Sequence, residues 1–377
     1  MTESLQPAAI HTLPGWKTGR MTMRCLRVQA ETRDVATFTF RAEAPMLFDF
    51  QPGQFVIIEP VIDGLTVPRC YSVSSTPSRP CTFSITVKRV PDGLVSNWLH
   101  DHLRPGDSLT VSAPQGDFNI VDRPGERILM LSGGSGITPV MSMLRWLHDT
   151  ATDVDIHFVH AARSPEDIIF RPELEALARA NDGLQLSVTC ESTGDEAWFG
   201  YRGRLNESML QQMVPDLMQR TVFACGPEPY MEAVRDILGG LGLPAEQYHE
   251  ESFGGGPPVA PAVPAAPAEN PEPAIDAGDD DAGDVVTPVQ TGCTVRLART
   301  GLEFTCAPSQ TLLQAAQNNG AWIPCACQMG VCGSCKVLKT AGDTHMQHMG
   351  GICDDEEAAG YVLACCTYPT GAVELDC

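Results

Sequence analysis

Near the C-terminus, Cys327-x4-Cys332-x2-Cys335 is followed by a distant Cys365. This is the plant-type spacing of a [2Fe–2S] centre, in which soft anionic thiolates hold iron and sulfide. Zinc sites use shorter loops, commonly paired C-x2-C arms. Gly330 and Gly333 let backbone N–H groups turn towards the sulfides. Cys325 lies two residues before Cys327, and Cys366 adjoins Cys365, so the ligand set has room to slip. Only Cys327 gives the four-residue loop. His345 and His348 do not suggest a Rieske centre, which needs Cys-x-His units, and are expected in an exposed loop.

Three further groups could hold nucleotides. In Arg69-Cys70-Tyr71-Ser72 an arginine can fork onto pyrophosphate oxygens, an aromatic ring can stack on an isoalloxazine, and a hydroxyl can reach its N5 edge. An ordinary strand with an exposed Tyr would read the same in isolation. Gly93-Leu94-Val95-Ser96 reads as a glycine turn with Ser96 capping a helix whose free N–H groups suit a diphosphate. Gly133-Gly134-Ser135-Gly136-Ile137-Thr138-Pro139 stands between an apolar strand and a helix, with Pro139 in the first turn. Such a loop is either a nucleotide cradle or a tight turn, and it is not the G-x-G-x-x-G fingerprint. Cys225-Gly226-Pro227 ends another apolar run, which puts a thiol where a nicotinamide would lie. A lone cysteine there is equally a small buried hydrophobe.

The elements that position these groups divide the chain of 377 residues into several domains. After a tail (1–15), residues 16–122 alternate in short runs (Thr37–Phe40, Phe55–Ile58, Phe83–Val87) broken by Pro and Gly, which predicts an antiparallel β-barrel. Residues 123–253 alternate strand and helix patterns, including Ile128–Leu131, Asp155–His160 and Val222–Ala224. That order predicts an α/β doubly wound parallel sheet. Residues 254–290, rich in Pro, Ala and Asp, predict a linker unable to bury enough apolar surface to fold. Residues 291–377 predict a small α+β domain around the cysteine loop, with one amphipathic helix at Leu312, Leu313 and Ala316.

Composition excludes other classes. A net charge of −22 argues against nucleic acid, which needs clustered Lys and Arg; an acidic docking face for a basic redox partner is the sharper use of that charge. No apolar run is long enough to span a membrane, so no membrane role is expected. The opening residues lack a secretory pattern, and fifteen cysteines in a chain of this length fit reduced thiols and metal ligation. A cytoplasmic protein is expected.

The order R-x-Y-S, G-x-x-S, G-G-S-G-I-T-P, C-G-P and Glu251-Ser252-Phe253 resembles the ferredoxin–NADP reductase superfamily over about Trp16 to Phe253. The following domain resembles a plant-type ferredoxin of β-grasp fold, and Leu363-x-Cys365 before Pro369 matches that pattern. The resemblance therefore implies Cys327, Cys332, Cys335 and Cys365 as metal ligands, with Cys325 and Cys366 as packed thiols. This domain order is that of reductases serving Rieske-type oxygenases and of the hybrid-cluster-protein reductase. RTVFACGPEPYM and YHEESFGG resemble the reductase components of glycine betaine and other quaternary-amine monooxygenases.

The resemblance implies FAD, with Tyr71 packing on the flavin, Arg69 on its diphosphate and Ser72 near N5. Lys88 would line the adenine side, and Gly93 and Ser96 would close over the phosphates. Gly133, Gly134, Gly136, Thr138, Gly226 and Pro227 would cradle the dinucleotide. Cys225 and Glu251 would flank the hydride-transfer site, and Phe253 would cover the flavin's other face. Relatives that prefer NADPH carry Ser and Arg after the third strand, where this chain has Thr189-Cys190-Glu191-Ser192. A carboxylate at Glu191 would repel a 2′-phosphate and suit ribose hydroxyls, which favours NADH. Arg163-Ser164 remains a basic candidate. The implied function is transfer of electrons from NADH through FAD and [2Fe–2S] to a terminal Rieske-type oxygenase. The alternatives are a hybrid-cluster protein as acceptor, or a redox sensor without turnover.

Overall fold

The computed structural model describes residues 13–123, 125–194, 197–252, 292–321, 323, 330, 333, 335–348, 352 and 354–377. The expected linker, Phe253, Cys325, Cys327 and Cys332 lie outside the described residues. The described chain packs as two compact units, one of 13–60 with 68–252 and the other of 61–67 with the residues from 292 onward.

The first unit opens with an antiparallel sheet. Strands β1 (Arg20–Thr32), β2 (Val35–Ala42), β3 (Phe55–Glu59), β4 (Arg69–Ser72), β5 (Phe83–Lys88) and β6 (Ser108–Ser112) run in the order β4-β3-β6-β1-β2-β5. An isolated bridge between Val73 and Ile85 joins its two edges, which curls the sheet into the expected barrel. Alternation follows burial: Phe38 and Phe40 of β2 are fully buried, and Phe40 stacks on Phe83 with ring centroids 5.3 Å apart. Helix α1 (Leu94–His102) begins earlier than Ser96 predicts. Gly93, extended and without a side-chain bond, is the N-cap. Ser96 instead sits in the first turn, where its Oγ accepts from the Val90 N–H at 3.2 Å and donates to the Gly93 carbonyl at 3.3 Å.

A six-stranded parallel sheet follows, with strands β7 (Arg127–Gly133), β8 (Asp155–Ala162), β9 (Leu184–Cys190), β10 (Tyr201–Arg202), β11 (Thr221–Gly226) and β12 (Tyr248–Ser252). The order β10-β9-β8-β7-β11-β12 reverses direction between β7 and β11, the point at which doubly wound sheets open a ligand crevice. Helix α2 (Ile137–Asp149) covers one face, where Ile128, Met130, Phe158 and Phe223 pack with Val35 and Phe118 of the barrel segment in one continuous core. Helix α3 (Glu228–Gly240) covers the other, over Leu129, Leu131, Val222 and Ala224. Each fully buried aromatic in these layers contributes ~2–3 kcal/mol of apolar transfer.

In the second unit, β13 (Cys293–Leu297), β14 (Glu303–Cys306), β15 (Lys336–Ala341), β16 (Thr344–Met346), β17 (Tyr361–Leu363), β18 (Thr367–Pro369) and β19 (Val373–Leu375) surround helix α4 (Leu312–Asn318). The main sheet is mixed, in the order β14-β13-β19-β15-β17, with β13 and β19 parallel. Thr311 and Gln314 form a reciprocal capping box on α4, and Leu312, Leu313 and Ala316 face the core, as their spacing predicts. His345 lies on β16 rather than in a loop, and His348 is half-buried with Nε2 2.8 Å from Glu357 Oε1.

Candidate functional site

The sheet edge at the end of β7 brings the sequence motifs together. Register pairs Ser132 with His160 on one side and Cys225 on the other, and Cys225 in turn with Glu251. Side chains in one row of a parallel sheet share a face, so His160, Ser132, Cys225 and Glu251 form a line across it. All four are buried. The line continues into the barrel, because Ser72 Oγ donates to Glu251 Oε2 at 3.2 Å and Ser72 is itself only 5% exposed. Tyr71 precedes Ser72 on β4, a strand held antiparallel to β3 by Val56 opposite Tyr71 and Phe55 opposite Ser72.

Burial sets the proton affinities of this row. Desolvation, reinforced by the Glu251 and Glu250 carboxylates, holds the Cys225 thiol well above its ordinary value, so it stays neutral at physiological pH. Burial likewise raises the Tyr71 phenol, against the pull of Arg69. His160 is held at about 4 by desolvation, which the bond with Ser132 only partly offsets. Its Nδ1 lies 2.8 Å from Ser132 Oγ, while Nε2 is buried with no hydrogen-bond partner among the described residues.

The glycine loop is glycine for steric reasons. Gly134 has φ +49°, a conformation side chains rarely adopt. A Cβ on Gly136 would stand 2.3 Å from the Cys225 carbonyl oxygen and 2.5 Å from Gly226 Cα. Tyr230 accounts for two more: a Cβ on Gly133 would meet its ring at 2.8 Å and one on Gly226 at 2.4 Å. Tyr230, which carried no signal in the sequence, thus seals one side of the cradle, with its hydroxyl buried and unpartnered among the described residues. Thr138, 3% exposed, donates to the Ser135 carbonyl at 3.0 Å and ties the loop to the first turn of α2. The backbone N–H groups of that turn are the ones available to a pyrophosphate.

Other expected residues sit differently. Arg69 Nη1 donates to the Pro68 carbonyl at 2.7 Å. Lys88 pairs with Asp34 at 3.6 Å, and Arg163 reaches the same Asp34 oxygen at 3.0 Å and Asp167 at 3.7 Å. Asp34, which carried no signal in the sequence, therefore bridges barrel and parallel sheet. Arg145 adds a second bridge, donating to the Ser74 carbonyl at 2.5 Å and pairing with Glu173 at 2.6 Å, while Ser142 Oγ donates to the Ser75 carbonyl at 2.6 Å. Glu191 follows β9 and lies 3.3 Å from Arg204.

In the second unit Cys335 and Cys365 are buried at 2% and 6% exposure. The Gly330 N–H donates to Cys365 Sγ at 3.3 Å and the Cys365 N–H to Cys335 Sγ at 3.5 Å. Backbone donors aimed at both sulfurs are what thiolate ligands of an iron–sulfur cluster require. Gly330, at φ +68°, leaves no room for a side chain, since a Cβ would stand 2.7 Å from Cys366 Sγ. Cys366, also buried, donates to the Leu363 carbonyl at 3.6 Å. That contact suits the packed thiol expected of it. Cys327 and Cys332 lie outside the described residues.

Comparison with known families matches this arrangement segment by segment. Residues 23–120 match the oxidoreductase FAD-binding domain, 130–236 the oxidoreductase NAD-binding domain, and 295–370 the 2Fe-2S iron-sulfur cluster binding domain. Fold and site together define an electron-transfer oxidoreductase built from those three domains. Phthalate dioxygenase reductase shares the fold over 95% of this chain and 98% of its own, with TM-score 0.55 and 24% identity. The chain is 48% identical to the glycine betaine monooxygenase reductase subunit of Pseudomonas aeruginosa over 99% of its length and 98% of that protein's. It is 38% identical to the stachydrine N-demethylase reductase subunit of Rhizobium meliloti, over 94% and 96% of the two chains. It belongs to the family of these monooxygenase reductase subunits.

No helix among the described residues is long and apolar enough to cross a membrane.

Proposed function

We propose that this chain draws electrons from NADH in the cytoplasm and delivers them to a terminal Rieske-type oxygenase that demethylates glycine betaine or a related quaternary amine. The observation that carries this reading is likeness over the full length, linker included, to reductase subunits of two amine-acting systems. When bound, FAD exchanges electron pairs for single electrons and the [2Fe–2S] cluster carries single electrons.

The protein's own part is geometry and exclusion of water. Tyr71 and Ser72 on β4 would orient the flavin ring, Arg69 would hold its diphosphate, and Gly93, Ser96 and Lys88 its adenosine half; Phe253, outside the described residues, is assigned to the flavin's other face. Gly133, Gly134, Gly136 and Thr138, with Gly226 and Pro227, hold the dinucleotide. Glu251 accepts from Ser72 and fixes that hydroxyl, while the neutral thiol of Cys225 presents a compact, uncharged surface to the nicotinamide. A thiolate there would attack rather than pack, and burial next to two carboxylates prevents it. Cys335 and Cys365, with Cys327 and Cys332 outside the described residues, would hold the cluster.

The test is reconstitution with NADH and a Rieske-type oxygenase component. NADH oxidation that begins only when oxygenase and glycine betaine are both present, with one N-methyl group lost per NADH, supports the assignment. NADH oxidation without demethylation of any quaternary amine tested contradicts it.

A further inference from the structure

Glu251 reaches the barrel from β12, which is an edge strand of the parallel sheet and pairs on one side, with β11. The ladder between them ends at Gly226 opposite Ser252, one residue beyond Cys225 opposite Glu251. Pairing fixes register along the two strands, but the end of an edge strand opens more readily than a central one. What holds the end of β12 lies on its other face. Side chains alternate along a strand, so Glu250 points away from the barrel and towards α3, and its side chain is 9% exposed. Arg235 of α3 donates to both Glu250 oxygens, at 3.0 and 3.3 Å, and the Tyr248 hydroxyl donates to Oε2 at 2.5 Å. The other arm of the same guanidinium pairs with Glu228. Glu228 lies about two helical turns before Arg235 and is the first residue of α3, directly after Pro227.

One planar fork therefore ties the strand that delivers Glu251 to the turn that follows Cys225. The tie closes a ring that runs from Cys225 through Pro227, Glu228, Arg235 and Glu250 to Glu251, and back to Cys225 by strand pairing. Tyr230 presses the start of α3 onto the same turn, with its ring where a Cβ on Gly226 would stand. Burial alone would weaken the charge on Arg235, and the Glu228 and Glu250 carboxylates more than offset it, so the guanidinium stays charged.

We infer that Arg235 is a positioning residue for hydride transfer: from the far side of the sheet it sets the separation of Cys225 and Glu251, the two walls of the nicotinamide pocket. The inference rests on the NADH and flavin reading above and adds the group that keeps that pocket in shape. Reacting atoms held about 1 Å out of place cost on the order of a hundredfold in rate. A loosened tie is therefore read in the rate and in the stacking of the two rings.

The test compares wild type, Glu228→Ala, Arg235→Met and the double variant as holoproteins carrying FAD and cluster. Glu228→Ala is the informative cut: it severs the tie at a helix start whose side chain is 36% exposed and leaves Arg235 with Glu250, so no buried charge is orphaned. Three quantities are read without oxygen: the limiting rate of flavin reduction at saturating NADH, the long-wavelength charge-transfer absorbance of nicotinamide stacked on flavin, and hydrogen exchange at the amides of 248–252. Each single variant should lower the limiting rate about tenfold or more, weaken the charge-transfer band at saturation and speed exchange in β12, with the melting temperature of Glu228→Ala near that of wild type. Both substitutions cut one tie, so the double variant should lose no more rate than Arg235→Met alone. The inference is overturned by a Glu228→Ala rate close to that of wild type, by a slowed rate with an unchanged charge-transfer band, or by single losses that multiply in the double variant. A wild type whose flavin NADH does not reduce refutes the reading beneath the inference, a separate result.

Discussion

Gly136 is pinned between the turn it makes and the strand end it touches, with the Cys225 carbonyl where a Cβ would go. Gly136→Ala should therefore displace β11 from the loop, lowering stability by ~1–3 kcal/mol and weakening NADH binding by more than that loss explains. Thermal unfolding and NADH titration of one sample separate the two. Unchanged NADH affinity in a destabilised protein would make Gly136 a packing residue only. The loop itself was legible in the sequence, since three glycines between an apolar run and a helix have few other uses. Its partner was not, because Tyr230 meets Gly133 across two neighbouring strands that local pattern does not pair. Asp34, Lys88 and Arg163 were unreadable as a cluster because they come from three separate segments of the chain.

At the scale of elements, the parallel sheet holds neutral histidines. Burial sets His157, His160 and His249 at about 4, below an ordinary value of about 6.5. The unfolded chain binds the proton more tightly than the folded one, so these groups favour the fold fully above about 6.5 and lose that contribution as pH falls towards 4. For His160, wholly enclosed, the effect is on the order of 2–3 kcal/mol. Melting temperature should drop steeply between pH 6.5 and 4.5, and His160→Gln should flatten that slope; a variant with the wild-type slope would refute the linkage. The strand that carries His157 and His160 is one the sequence predicts. The short β10 and the C-terminal β12 gave no clear periodic signal, being two and five residues long, yet β12 delivers Glu251.

The whole molecule depends on the barrel and parallel sheet meeting in one geometry, since Ser72 and Glu251 come from opposite sides of that seam. Arg145 fastens it through Ser74 and Glu173, with its guanidinium 4.5 Å from the Phe170 ring centroid. Arg145→Ala should cost about 2–3 kcal/mol as a lost charged hydrogen-bond network and slow NADH-dependent flavin reduction while FAD stays bound. A slowed reaction without loss of FAD is read from flavin absorbance before and after mixing; FAD release instead would place Arg145 in flavin retention. Domain order and the cluster spacing were plain in the sequence because each module has its own composition. How the modules meet was not, because seams are made of single long-range contacts.

On the function proposed, reducing equivalents enter at the flavin and leave through sulfur-bound iron. Anaerobic rapid mixing with NADH, followed by flavin absorbance and by electron paramagnetic resonance of the cluster, tests it directly. Wild type should lose flavin absorbance first and then show the reduced [2Fe–2S] signal, while Cys335→Ser keeps the first event and lacks the second. A cluster signal that rises before flavin absorbance falls, or that persists in Cys335→Ser, would contradict the account.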